Sequence, residues 1–491
     1  MKNDFNSKVW ELILELNKNF YSNSFDKQSA IIITTAKKNA LLSEIKPQFV
    51  FVERFSKENA QRFFYHKISL IRIASISESD FEKIQIISKG NPALIELIIG
   101  LSLRFEFSNI WHSFCNYPIN LELVEADQVF GFLFDLAWEQ ILSELHRKIL
   151  MILSLFPFSI SIDPIAEILQ ISKEKVTKCL NDLYSFTFAD MEFDDNFAMW
   201  EVNSRYKRIS YLRLVQDAAL SKFIKGGFVN YFVCLPEKYS DSLMPKQAEI
   251  ENLILAIELA IKMKKWNFVL EHSDSINRFF WKSGYWPERL YVNRLLLEAS
   301  RQTKNDLIRA RILVQDLGFT FLRFEDLLRA EQYVKVGLTM FKNIRDATGE
   351  ALATRHLAKV SLLMGEYEHL KPDLNWADYF QIARELYTES IKIRQKLASQ
   401  DSDQKIAIAD LKLDFGRLCW LWGRKCEKYG RATNDSQMVL DAKRLYNESI
   451  SVTKEGIELF EEFKVLRGIS KAYGNYGNAY KELAYPIQIS W

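Results

Sequence analysis

The chain has 491 residues, of which 48% are hydrophobic and 26% charged, and its formal net charge is +2. This length is too great for one hydrophobic core, and the composition excludes a disordered chain. The small net charge disfavours nucleic acid and anionic membranes as partners, and no apolar stretch approaches the ~18 residues of a membrane span. With only 17 Gly and 10 Pro, the chain is expected to be mainly α-helical, in several domains, and cytoplasmic.

Residues 1–105 are predicted to form part of an α/β domain followed by a helical lid. Short β-branched runs at 30–35 and 49–52 predict strands, and Ser56 is placed to cap a helix. Further on, Gly90-Asn91-Pro92 predicts a corner between two helices. Gly tolerates positive φ after the last turn of a helix, and Pro is favoured at the first helical position.

Residues 106–210 are predicted to form three helices followed by a β-hairpin, which is the order of a winged-helix module. A helical pattern over 134–153 has a break near Ser143, and Ser172 is placed to cap a third helix. Two apolar runs, at 188–193 and 197–202, flank an Asp-Asp-Asn turn, as expected of a hairpin.

Residues 211–262 are predicted to form a helical connector, and residues 263–491 are predicted to form an α-solenoid of tetratricopeptide-like helical hairpins. The segment 383–391 recurs 59 residues later as 442–450. Tetratricopeptide units are ~34 residues long and need small residues where their helices cross. Small residues recur on the predicted first helices at Gly318, Ala358, Gly416 and Gly477, and on the second helices at Ala330, Ala383 and Ala442.

The strict tetratricopeptide period is lost in the later repeats. Gly318 and Ala330 are 12 residues apart, whereas Gly416 and Ala442 are 26 apart. The extra residues are expected between the helices, at 368–377 and 429–436. A generic α-solenoid remains an open alternative, since it predicts nearly the same shape and the same ligand-binding surface.

The five cysteines are Cys115, Cys179, Cys234, Cys419 and Cys426. Their odd number and wide spacing argue against a disulfide framework. No C-x-x-C pair and no histidine cluster accompanies them, so we expect no metal site, and we expect Cys419 and Cys426 to be buried thiols.

In this order, the predicted elements resemble the second half of the NB-ARC module of STAND signalling ATPases, followed by a winged helix and a repeat array. The resemblance is carried by Thr34-Thr35, by Gly90-Asn91-Pro92 and by Leu153-Ser154-Leu155-Phe156-Pro157. In that family, the strand ends in Thr-Thr-Arg, the Pro of the lid packs on adenine, and the winged helix is a hinge that closes on ADP.

The resemblance implies ADP or ATP as a cofactor, with Pro92, Gly90, Thr35 and Asn203 as candidate contacts. Asn203 lies where many members place a His near the β-phosphate, and Ala36 replaces the Arg that senses the terminal phosphate.

The motifs that carry ATPase chemistry are missing from the sequence. Residues 1–89 contain no glycine, and no Gly-Lys-Ser or Gly-Lys-Thr occurs anywhere in the chain. A P-loop needs such glycines to wrap the phosphates in backbone N–H groups. No apolar strand ending in Asp-Asp precedes Trp10, so the acid of Walker B is missing too.

The first hypothesis is therefore a non-catalytic STAND-type regulatory protein that recognises a protein or peptide ligand through its repeats. The second is an ATPase completed in trans by a separate chain that carries the P-loop. The third is a winged-helix transcriptional regulator, supported only by three lysines at 173–178. The four carboxylates of the predicted wing would repel DNA phosphates, so nucleic acid is disfavoured.

Overall fold

The computed structural model of the protein describes residues 54–71, 76–117, 125–194, 197–239, 246–367, 375–398 and 402–484. Within these ranges the protein is mainly α-helical, as predicted, and contains one two-stranded sheet. The chain divides into two compact units between Ile141 and Leu142. The predicted strands at 30–35 and 49–52, and Thr35 with them, lie outside the described residues.

The first unit contains five described α-helices, one of which is strongly apolar. They are α1 (Lys57–Ile71), α2 (Phe81–Ser88), α3 (Pro92–Leu101), α4 (Phe107–Cys115) and α5 (Ala126–Gln140). Helix α3 is buried along most of its length and contacts α1, α2 and α5. The first unit therefore extends past residue 105, where the sequence placed its boundary, because α4 and α5 belong to it.

The second unit begins with three helices and a hairpin, in the predicted order. They are α6 (Glu144–Leu153), α7 (Ile162–Leu169), α8 (Lys173–Ser185), β1 (Ala189–Asp194) and β2 (Phe197–Val202). Ser143 accepts a hydrogen bond from the backbone N–H of His146, so the predicted helix break at Ser143 is confirmed. The strands are antiparallel, and Trp200 of β2 also bridges to Ile160.

Helices fill the rest of the second unit. They are α9 (Ser204–Gln216), α10 (Ala218–Lys238), α11 (Gln247–Lys262), α12 (Trp266–Glu271), α13 (Ser273–Ser283), α14 (Trp286–Gln302), α15 (Asp306–Arg311), a π-helical segment (Ile312–Gly318), α16 (Phe319–Arg323), α17 (Leu327–Ile344), α18 (Ala347–Tyr367), α19 (Trp376–Leu397), α20 (Ser402–Ala432), α21 (Ser436–Glu462) and α22 (Leu466–Ala484). From α13 onward, successive helices pack as pairs. The segment 306–323, α18, α20 and α22 are first helices, and α17, α19 and α21 are second helices.

The internal sequence repeat corresponds to equivalent packing on α19 and α21. Ser390 donates its hydroxyl to the carbonyl of Ala351 at 2.7 Å, and Ser449 donates to that of Gly416 at the same distance. Ala383 and Ala442 are both buried in these helix contacts. The prediction that 383–391 and 442–450 are equivalent second-helix segments is confirmed.

The predicted register of the first helices was wrong on α20 alone, by about two turns, whereas Ala358 packs with Ala383 as predicted. A Cβ on Gly423 would lie 2.6 Å from the ring of Tyr446 and 3.2 Å from the carbonyl oxygen of Ala442. Gly423 is therefore the small residue that lies against the Ala442 turn of α21, whereas Gly416 packs equally closely on Thr453, farther along the same helix.

The expected insertion at 429–436 is also mostly helix, since α20 continues to Ala432. The extra residues at this point lengthen a helix more than they lengthen its connecting loop.

Candidate ligand groove on the helical repeats

Three cavities lie in series along the first helices of the array. Their volumes are about 890, 350 and 370 Å³. The first and second share Asp274, Gln315 and Leu352, and the second and third share Phe319. The three cavities therefore adjoin one another; together they are called the repeat groove here, and they run from α13 to α22.

The π-helical segment and the residue that follows it contribute three side chains to the lining of this groove. Gln315, Asp316 and Phe319 all line it. A π-helical turn inserts an extra residue and is often found at functional sites. A Cβ on Gly318 would lie 2.6 Å from Val334, so this segment also packs closely on α17.

Arg289 and Asp316 form a buried ion pair in the second cavity. Arg289 lies 2.7 Å from the Asp316 carboxylate and also donates to the hydroxyl of Thr320. Burial raises the pKa of Asp316 to about 7, although the nearby Arg289 charge acts to lower it. The pair fixes the orientation of α14 against the π-helical segment.

A second polar cluster lies between the second and third cavities. Asp414 of α20 accepts from Arg355 at 2.6 Å and from Lys359 at 3.1 Å, both on α18. Burial raises the pKa of Asp414, but the Arg355 and Lys359 charges outweigh burial and hold that pKa below its usual value. Asp414 is therefore ionised at neutral pH and cross-links two first helices.

His356 lies beside this cluster and is neutral. Its ring packs on Phe319 with 5.3 Å between centroids. Burial, together with the charges of Lys359 and Arg355, lowers the pKa of His356 to about 3. It therefore contributes an uncharged aromatic surface to the groove at neutral pH.

Tyr387 of α19 lies at the bottom of the third cavity. Its side chain is buried, and its hydroxyl has no hydrogen-bond partner among the described residues. The equivalent Tyr446 of α21 donates its hydroxyl to Glu427 at 2.8 Å. With the corrected register, the position of Glu427 on the first helix corresponds to Leu362, which also lines the third cavity. The acceptor is therefore missing from this repeat.

Three exposed cations surround the same cavity, which is called the basic end of the groove here. They are Arg323, Arg417 and Lys471. Among the described residues, none of the three has an ion-pair partner. Sequence reasoning missed these residues, because only the fold shows which cations are already paired.

The Gly90 turn has the predicted conformation. Gly90 has φ +75, and its carbonyl accepts from the backbone N–H of Phe55 at 2.9 Å. Asn91 caps α3 by accepting from the backbone N–H groups of Ala93 and Leu94, and Pro92 is at the first turn. Gly90, Asn91 and Pro92 thus each have a local structural role, and Pro92 is half-buried.

Asn203 caps α9 in the second unit. Its side-chain oxygen accepts from the backbone N–H of Arg205 at 3.2 Å, and its amide donates to Asp190 of β1 at 3.2 Å. Gly90 and Pro92 share one turn in the first unit, Asn203 belongs to the second unit, and Thr35 lies outside the described residues.

A Cys–His–Glu chain joins α10 to the junction of α12 and α13. Cys234 Sγ lies 3.7 Å from His272 Nε2, and His272 Nδ1 lies 2.7 Å from Glu237. This order is that of a cysteine nucleophile, its base and an orienting acid. However, burial and then the Glu237 charge raise the pKa of the Cys234 thiol, which therefore stays protonated and unreactive at neutral pH.

The cysteines are reduced thiols in this structure. Cys419 and Cys426 are buried thiols, as predicted, and all five cysteines are free of disulfides. The described residues contain no group of three side chains placed to hold a metal ion. Within the described ranges, the helices are too short or too polar to cross a membrane.

No family model matches the chain, and no curated protein matches it. Solved structures similar to it include a STAND protein with a tetratricopeptide repeat sensor from Pyrococcus horikoshii, at 15% identity and TM-score 0.37 over 87% of this chain. A Rap protein complexed with competence and sporulation factor has 13% identity and TM-score 0.27, over 87% of this chain and 99% of its own. A circular tandem repeat protein has 14% identity and TM-score 0.22, over 87% of this chain and 98% of its own. The chain spans 63% of the length of the STAND protein.

Proposed function

We propose that this protein is a non-catalytic STAND-type regulatory protein that binds a protein or peptide ligand in the repeat groove. The observation that carries the proposal is the series of adjoining cavities along successive first helices, which ends at a buried hydroxyl that has no partner among the described residues. A buried polar group left unpaired costs about 1–3 kcal/mol, which a ligand acceptor would recover. Stacked helical repeats present such long surfaces to extended ligands.

The rest of the chain would transmit that binding event. In this proposal, the winged-helix hinge lies within residues 106–210, and helices α1 to α3 are the helical lid of a vestigial NB-ARC module. ADP or ATP would be the cofactor, contacted by Pro92 and Gly90, by Thr35, and by Asn203 of the hinge. The proposed location is the cytoplasm, where five free thiols persist.

Selection of random dodecapeptides on the immobilised full chain tests the groove. We expect peptides that bind the wild type and bind at least tenfold more weakly to Leu352→Trp, because Leu352 lines two of the three cavities. Leu440→Trp is the matched control, since Leu440 is 45% exposed on α21 and lines none of the three. Circular dichroism melting checks that both variants fold. If no peptide is selected, or if Leu352→Trp binds equally well, peptide recognition by the groove is wrong.

Binding of fluorescent ADP, with and without magnesium, tests the nucleotide module separately. Saturable binding that Pro92→Ala removes would support the lid and hinge. No binding up to millimolar nucleotide would remove ADP and ATP from the proposal and leave the repeats. Hydrolysis that appears only with a separate P-loop chain would favour the trans-completed ATPase instead.

A DNA-binding role for α8 has less support. Lys173 of α8 lies 2.8 Å from Asp163 of α7, so its charge is partly neutralised within the protein. The hairpin carries Asp190, Glu192 and Asp194, which would repel phosphate. Salt-dependent retention on duplex DNA is the measurement that would favour it.

A further inference from the structure

We infer that the repeat groove selects acidic peptides, and that a peptide carboxylate binds at its basic end between Arg323, Arg417 and Lys471, above the hydroxyl of Tyr387. This inference rests on the proposed function and specifies the chemistry of the ligand. Two independent observations carry it, one about the charges along the groove and one about the tyrosine hydroxyl.

The cations and the anions that line the groove differ in how many of them have a partner within the protein. Eight cationic and five anionic side chains line the three cavities, so the lining is positive. Six of the cations are exposed and have no ion-pair partner among the described residues: Arg278, Arg311, Arg323, Arg345, Arg417 and Lys471. These cations are therefore available to pair with an anionic ligand.

Most of the anions in the lining are already engaged within the protein. Asp414 and Asp316 form ion pairs, as described above. Glu325 accepts from the hydroxyl of Tyr367 at 3.2 Å, and Asp346 accepts from the backbone N–H of Gly349 at 3.0 Å. These contacts hold the carboxylates in the wall of the groove, whereas the cations remain available to a ligand.

The tyrosine hydroxyl indicates the kind of group that binds at the basic end. In the following helix pair, the equivalent hydroxyl of Tyr446 donates to the carboxylate of Glu427. In the α18–α19 pair, Leu362 occupies the position of Glu427, and the hydroxyl of Tyr387 is left without an acceptor. A ligand carboxylate would replace that missing side chain and would pair with Arg417 and Lys471 at the same time.

The shape of the groove favours an extended peptide over a compact anion. The three cavities follow one another along successive first helices, and apolar side chains lie between the charged ones. Phe319, Leu352 and Leu363 are such residues, and each is only partly buried. Apolar peptide side chains between acidic residues would cover them.

The selection described above tests this inference through the composition of the selected dodecapeptides. We expect an excess of Asp and Glu over the unselected library. For a selected peptide, affinity should fall at least tenfold in Arg417→Glu and in Lys471→Glu, and several-fold in Tyr387→Phe. Lys454→Glu is the matched control, since Lys454 is exposed on α21 outside the groove and the charge change is the same. Affinity for the wild type should also fall as salt rises.

The possible failures are distinguishable. Selected peptides that are neutral or basic would overturn the acidic ligand but leave the proposed function intact. Acidic peptides that bind Arg417→Glu, Lys471→Glu and Lys454→Glu equally would overturn the basic end as their site. If no peptide is selected, the proposed function fails, and this inference fails with it.

Discussion

Tyr387 and Tyr446 occupy the same position in two consecutive helix pairs, yet among the described residues only the hydroxyl of Tyr446 has a hydrogen-bond partner. Both side chains are buried, at 0% and 1% exposure. The difference comes from the preceding first helix, where Glu427 faces Tyr446 but Leu362 stands at the equivalent point beside Tyr387. Within the described part of the chain, the α18–α19 pair therefore lacks an internal hydrogen bond that the α20–α21 pair makes.

This asymmetry predicts opposite responses to the same substitution. Tyr446→Phe should destabilise the protein by about 1 kcal/mol, because it removes a made hydrogen bond. Tyr387→Phe should be neutral or slightly stabilising, because it removes a buried hydroxyl that has no partner among the described residues. Thermal melting of the two full-length variants followed by circular dichroism compares them directly. Equal losses of stability would show that the Tyr387 hydroxyl is hydrogen-bonded after all.

Gly423 and Gly477 give a second matched pair, which tests the corrected register. Gly423→Ala should cost about 1–3 kcal/mol, because its Cβ would overlap the Tyr446 ring at 2.6 Å. Gly477→Ala should stabilise α22 by about 0.5–1 kcal/mol, because nothing lies within 4 Å of a Cβ there and Ala is the better helix former. Urea unfolding midpoints give the order. A destabilised Gly477→Ala would mean that this face of α22 is covered.

The sequence predicted those parts of the fold that depend on local patterns. The hairpin at β1 and β2 followed from its alternating runs and its turn, and the helix break from Ser143. The repeated Ala383 and Ala442 were found because the two second helices are separated by a constant 59 residues. The equivalent first-helix residues, Ala358 and Gly423, are 65 residues apart. That difference hid their equivalence, because the helices and connections between the two positions differ in length.

The candidate site was much less predictable than the fold. Which cations remain unpaired depends on contacts between distant residues, such as Arg355 with Asp414, 59 positions apart. The missing acceptor of Tyr387 becomes visible only once the register of Leu362 and Glu427 is known. Predictions that relied on the family resemblance instead gave Gly90, Pro92 and Asn203, for which the structure shows local roles in turns and helix caps.

Substitutions of Gly90 and Gly284 distinguish the free-energy cost of backbone strain from that of a steric overlap. Both have positive φ, +75 and +76. Gly284→Ala should cost about 1–2 kcal/mol from the left-handed conformation alone, since its surroundings are open. Gly90→Ala should cost more, because its Cβ would also overlap the backbone oxygen of Phe55. Hydrogen exchange of α2 and α3 measures the effect in the first unit, with exchange of α13 and α14 as the comparison.

If protection of α2 and α3 survives Gly90→Ala, the turn is less constrained than its contacts indicate. This result also guides the nucleotide experiment. Because Gly90→Ala is expected to unfold the corner, loss of ADP binding in that variant would say nothing about direct contact. Pro92→Ala keeps the Asn91 cap of α3 and is therefore the informative variant.

His356 should make the protein sensitive to mild acid. Its pKa is lowered from 6.5 to about 3, so between these values the unfolded chain binds more protons than the native protein. Its contribution to stability is therefore complete above pH 6.5 and is lost as pH falls towards 3, by up to about 1.4 kcal/mol per pH unit.

His356→Gln cannot gain this proton, so the free energy of unfolding of this variant should fall by about 2 kcal/mol less than that of the wild type between pH 7 and pH 5. Urea unfolding at the two pH values measures the difference, and parallel losses in both proteins would show that His356 is protonated in the native state. The charges that oppose its protonation, Lys359 and Arg355, are those that hold Asp414, so the acid response would report on the polar cluster beside the groove.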